Sequence, residues 1–256
     1  MLQGKWVVPA AIILSLVLVG LAFVYRAGVS AVPAQTGFLL PSGSSDDIFR
    51  SIAWDDLEEQ LVEAGVIDAA QRARAGTKLN LLWAFGLANA NPILTEGPMM
   101  DPRYGGAANF ASTGGWTLAR GSAMDHYAAH RFVTLTKEEQ VLVERVSKNI
   151  YRPCCGNSTY FPDCNHGMAM LGLLELMAAG GADERAMYRA ALAVNSEWFP
   201  DTYDAIRRHF AARGVASENI DPKVALGPEF SSAEGYARVL AEVEPSPASG
   251  GGSCGV

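Results

Sequence analysis

The hydrophobic pattern opens with a run that no charged residue interrupts. Residues 6–25, WVVPAAIILSLVLVGLAFVY, carry no charge, and as a helix they would span about 30 Å, the thickness of a bilayer's hydrocarbon core. Lys5 precedes the run and Arg26 follows it, with Trp6 and Tyr25 at the ends where interfacial aromatics are favoured. The pattern predicts one N-terminal transmembrane anchor over residues 1–26. The competing reading is a cleaved signal peptide cut near Val32-Pro33-Ala34, although signal cores usually run only about 7–15 residues. Both readings put the bulk of the chain on the extracytoplasmic side, periplasmic or extracellular.

Residues 27–45 are small, uncharged and rich in Pro, Gly and Ser, the composition of a linker. From 46 to 243 the apolar positions recur mostly at helical spacing. Ile48, Phe49, Ile52, Leu57 and Leu61 follow Ser44-Ser45-Asp46, a capped helix start. Residues 79–87, LNLLWAFGL, are apolar on nearly every side, which predicts a central buried helix. Thr136 and Glu139 form a capping box before Val141, Leu142, Val143, Val146 and Ile150, and Pro153 ends that helix. Further helices are expected over 165–179, from Asp183 to about 198, over 201–213, and after Asp221-Pro222 and Ser231.

Between them, residues 91–121 hold Pro92, Pro98, Pro102 and two Gly-Gly pairs, with no helical period. A loop of this length is either a cover over the helices or a binding lid. Residues 244–256 end in PSPASGGGSCGV, a flexible tail. The expected fold is all-α: an irregular helical bundle with one long Gly/Pro-rich loop, preceded by a single transmembrane helix.

Charge narrows the function classes. The net charge is −7 with no Lys/Arg cluster, which argues against nucleic acid as a partner. No G-x-S-x-G, Walker or dinucleotide motif is present.

The candidate chemistry lies in residues 151–170, YRPCCGNSTYFPDCNHGMAM, which hold three of the four cysteines and one of the four histidines. Cys164 falls at a helix start, where unpaired N–H groups favour a thiolate. His166 follows in the first turn and Met170 one turn later, while Cys154 and Cys155 sit on a loop turned by Pro153 and Gly156. Thiolate, imidazole and thioether together suit a soft or borderline ion, copper or zinc. His126 and His130 stand at i, i+4 in SAMDHYAAHRF, so on one helix face they would join the ligand set. Tyr127 occupies the place of the general-base Glu of zinc peptidases, so no peptidase is expected.

An oxidising compartment also allows a disulfide from Cys154 or Cys155 to Cys164, with Cys155–Cys164 as the pairing carried forward. Cys254 in the tail is a mobile thiol that can reach on the order of 20 Å on its linker. The leading expectation is a membrane-anchored metal-binding protein with ligands from Cys154, Cys155, Cys164, His166, His126, His130 and Met170, exchanging its ion with a donor or acceptor protein. The alternatives are a thiol-disulfide oxidoreductase, in which Cys164 attacks, Cys155 resolves and Cys254 shuttles, and a disulfide-stapled structural or interaction domain.

Overall fold

A computed structural model describes residues 52–244. The expected anchor (1–26), the linker (27–45), the first turn of the bundle before residue 52, and Cys254 in the tail lie outside the described residues. Among the described residues no helix is long and apolar enough to cross a membrane. The described chain is helical, with two isolated β-bridges and no strand.

The longer helices are α1 (Trp54–Glu63), α2 (Lys78–Ala88), α3 (Lys137–Ser147), α4 (Asn165–Ala179), α5 (Glu184–Trp198), α6 (Pro200–Ala211) and α7 (Ala233–Val243). Their starts follow local chemistry. Thr77 accepts from the Asn80 N–H at α2, Asp183 from Ala186 at α5, and Ser232 from Gly235 at α7. The Thr136–Glu139 capping box at α3 forms in both directions. The last helix starts one residue later than expected, because Ser231 closes a one-turn helix, Pro228–Ser231, and turns its hydroxyl inward to the Ala225 carbonyl. The Asp221-Pro222 start gives only one turn, Pro222–Ala225.

The centre of the molecule is the crossing of α2 with α4. Both helices are apolar all round, so both must be enclosed. Positions 167–178 of α4 are buried throughout, as are Leu81, Leu82, Ala84, Phe85, Leu87 and Ala88 of α2. The backbones meet at two glycines. A Cβ on Gly86 would stand 2.2 Å from the Met168 carbonyl oxygen, and one on Gly172 would stand 2.6 Å from that of Leu82. Each fully buried Leu, Met or Phe here contributes about 1.5–3 kcal/mol through burial. α1 and α3 pack around this pair, and α5, α6 and α7 extend the bundle.

The long loop is a packed cover. It forms a one-turn helix, Pro92–Thr95, and short 3-10 turns, and it buries Met99, Ala107, Trp116 and Leu118. The Trp116 indole donates to the Val66 carbonyl, and Trp83 of α2 donates to that of Ser112. Tyr104, Phe110 and Phe161 cluster with centroids 5.3–5.4 Å apart, Phe110 edge to face with the other two, joining this cover to the loop that carries the cysteines.

The helix expected to carry both His126 and His130 stops early. Its single turn is Ala123–His126, Tyr127 turns away, and Ala128 takes φ 50°. Long-range pairing ends it: Ala128 N–H donates to the Leu87 carbonyl, His130 N–H to that of Ala88, and Ala90 N–H to that of His130. The segment therefore pairs with the end of α2 instead of continuing its own helix.

Candidate metal centre

Cys164 is the N-cap of α4, and its sulfur accepts from the Gly167 N–H at 3.4 Å. The side chain that organises the site is Arg152, which is 1% exposed. Its guanidinium donates through Nε to Cys164 Sγ at 3.1 Å and through Nη1 to the Asn157 carbonyl at 3.2 Å. Through Nη2 it donates to the Phe161 carbonyl at 3.1 Å and to Asp163 Oδ1 at 2.7 Å. Asn157 Nδ2 then donates to the other Asp163 oxygen at 2.8 Å. A buried guanidinium needs such partners, since an uncompensated buried charge costs several kcal/mol. The cysteine loop thus folds as a shell around one cation.

Gly167 makes that arrangement possible. A Cβ at this position would stand 2.4 Å from Arg152 Cζ and Nη2. The guanidinium lies against the bare backbone of the first turn of α4, and from there it reaches the Cys164 sulfur.

The donor atoms converge. One ligand atom each from Cys154, Cys164 and His166 lie within 4.8 Å of one another, and so do those from Cys155, Asp163 and Cys164. The Cys154 and Cys164 sulfurs are 3.6 Å apart. Cys154 is exposed and Cys155, Cys164 and His166 are half-buried, so the centre opens to solvent. His166 is steadied by aromatic rings, with centroids 4.6 Å from Phe199 and 5.5 Å from Trp198. This Cys/His/Asp cluster can hold a metal ion. Both Asp163 oxygens are already taken by Arg152 and Asn157, which makes Asp163 the group that positions the loop.

The three sulfurs differ in how readily they ionise. The Cys164 thiol is held far below its ordinary range, first by the hydrogen bond from Cys154, then by Cys155, His166 and Arg152, against an opposing effect of burial. Cys154 is raised by its hydrogen-bonding to Cys155 and Cys164 and by burial. The Cys154 contact draws Cys155 down, but Cys164 and burial push it up to about 11. Cys164, with a guanidinium and a helix-start N–H directed at its sulfur, is the cysteine of the three whose anion is favoured.

Several expectations need correction. No Cys155–Cys164 disulfide forms, and the three cysteines among the described residues are free. The Cys155 sulfur lies within 4.8 Å of that of Cys164 without bonding to it; the Cys155 N–H donates to the Arg152 carbonyl, its carbonyl accepts from Ala233, and its sulfur lies 3.8 Å from the Asn157 oxygen. The sulfur that stands 3.6 Å from that of Cys164 is that of Cys154. Met170 is 1% exposed in the apolar core, packed as a gap-filler.

His126 and His130 belong to neither group of converging ligands. They pair with each other instead, Nδ1 of His126 lying 3.0 Å from Nε2 of His130. His126 Nε2 faces the Arg120 carbonyl at 3.0 Å and so carries the proton, which leaves its Nδ1 to accept from His130 Nε2–H. Burial, then the His126 ring, lowers the pKa of His130.

Sequence reasoning missed Arg152 and Asp163. Their only signal was adjacency, since Arg152 stands two residues before the cysteine pair and Asp163 directly before Cys164. Comparison with protein-family models, with curated proteins and with solved structures returns no match for the chain.

Proposed function

We propose that this protein binds one soft or borderline metal ion through Cys154, Cys164 and His166, with Cys155 or a solvent or partner ligand completing the shell. The observation that carries the reading is the convergence of two sulfurs and an imidazole within 4.8 Å at the N-cap of α4. The spacing bears on coordination as well. Two sulfurs bound at about 2.3 Å to a tetrahedral ion lie about 3.8 Å apart, and on a linear ion they lie about 4.6 Å apart. The 3.6 Å separation supports a bent grip. Zinc(II), or copper(I) with three ligands, fits that grip better than two-coordinate copper(I).

The open, solvent-facing position of Cys154 supports binding and transfer to a donor or acceptor protein. The charge-free run over residues 6–25 supports a membrane-anchored protein with this domain on the extracytoplasmic side. The test is metal content of the reduced full chain, together with cobalt(II) substitution read by thiolate-to-cobalt absorption. One ion per chain is expected, lost in Cys164→Ser and weakened in His166→Ala. Failure of the wild-type protein to bind zinc, copper or cobalt contradicts the proposal.

A further inference from the structure

The same pocket carries a second chemistry. Cys154 and Cys164 are free, with their sulfurs 3.6 Å apart, and a disulfide needs about 2.05 Å. The approach of about 1.5 Å that closes the gap falls on Cys154, which is exposed and sits on a turn beside Gly156, where an added Cβ would meet nothing within 4 Å. Cys164 is fixed by comparison, at a helix start, with Arg152 Nε at 3.1 Å and the Gly167 N–H at 3.4 Å both directed at its sulfur. Those donors stabilise it as the anion, the attacking form in exchange. The Cys155 sulfur is also within 4.8 Å of that of Cys164, but its residue is tied on both sides by backbone hydrogen bonds, which assigns it the spectator role.

We propose that Cys164 and Cys154 form a dithiol–disulfide couple that exchanges with small disulfides, and that closing it ejects the ion. The second clause rests on the metal-binding reading; the first does not. The Cys164 sulfur bonds to one sulfur of a disulfide RSSR, and the other leaves as RS⁻. The Cys154 sulfur then bonds to that of Cys164, the remaining R–S group leaves, and the proton of Cys154 goes with it to give RSH. The small disulfide is reduced, and the two protein sulfurs are oxidised to one bridge. The bridge removes both thiolate ligands, so the oxidised protein and the loaded protein exclude one another.

The experiment treats the chelator-stripped, reduced full chain with glutathione disulfide, alkylates it, and maps the cysteines by mass spectrometry. Wild type is expected to yield a Cys154–Cys164 bridge with Cys155 alkylated. Cys154→Ser is expected to stop at a glutathione adduct on Cys164, and Cys155→Ser to behave as wild type. Zinc-saturated protein is expected to lose the reaction, and oxidised protein to lose zinc. A bridge that uses Cys155, or an adduct on Cys154 in Cys164→Ser forming as fast as wild type reacts, overturns the proposal. No bridge in wild type while the same sample still takes up zinc overturns the couple and leaves the metal reading standing. A bridge in a protein that binds no zinc overturns the ion release and the metal reading, and leaves the couple standing.

Discussion

Replacing Gly167 by Ala tests the buried architecture of the site, because two effects of opposite sign meet at one methyl group. Inside a helix, Gly→Ala ordinarily gains about 1 kcal/mol. Here the new Cβ would stand 2.4 Å from Arg152 Cζ and Nη2 and 2.8 Å from Nε. The guanidinium must move, and with it go its contacts to Asp163, Cys164, Asn157 and Phe161. Breaking a buried ion pair costs about 3–5 kcal/mol, so the expected net loss is about 2–4 kcal/mol. The assay is denaturant unfolding of the reduced, metal-free chain, repeated in an Arg152→Met background. In that background the clash is gone, and Gly167→Ala should be neutral or stabilising. If Gly167→Ala stabilises the wild type, or costs the same in both backgrounds, the packing of Arg152 over the first turn of α4 is refuted.

Other consequences follow from the same structure. Glu175 is fully buried in α4, where burial pushes its carboxyl from 4.5 up to about 8, with the Asn89 and Asn91 amides pulling the other way. A raised carboxyl favours the folded state fully below about pH 4.5, and that contribution is lost as pH rises towards 8. The stability of Glu175→Gln relative to wild type should therefore grow from pH 5 to pH 8, by on the order of 1 kcal/mol per pH unit. A pH-independent difference in urea titrations rules this out. Gly86→Ala places a methyl 2.2 Å from a backbone carbonyl that cannot step aside. It should lose about 1–3 kcal/mol despite its better helix propensity, and a raised Tm would count against the close α2–α4 crossing. His130→Ala should leave metal uptake unchanged, and a loss of binding comparable to that of Cys164→Ser would return the histidine pair to the ligand set.

What the sequence disclosed was local. Cys164 at an N-cap, the Thr136–Glu139 capping box and the all-apolar central helix are readable from neighbours within a turn or two, and each appears in the structure. What it hid depends on distant partners. The helix through His126 and His130 has ordinary propensity, and it ends because residues 128–130 pair with the end of α2. Arg152 reads as a surface cation; its partners lie on the loop that follows it and the next helix start, but their spacing does not show that the loop folds back to offer a carboxylate, two carbonyls and a bare glycine to one guanidinium. That the Cys154 sulfur comes within 3.6 Å of Cys164 is likewise not readable from neighbours, in a loop whose Cys155 carbonyl is tethered to Ala233, far along the chain.

The central claim is that two sulfurs and one imidazole share an ion. X-ray absorption at the metal edge of the zinc-loaded chain measures this directly. The account predicts at least two sulfur neighbours at about 2.3 Å and at least one nitrogen at about 2.0–2.1 Å, with one sulfur lost in Cys154→Ser and the imidazole signal lost in His166→Ala. A shell of oxygen and nitrogen alone, or one unchanged by both substitutions, would contradict it.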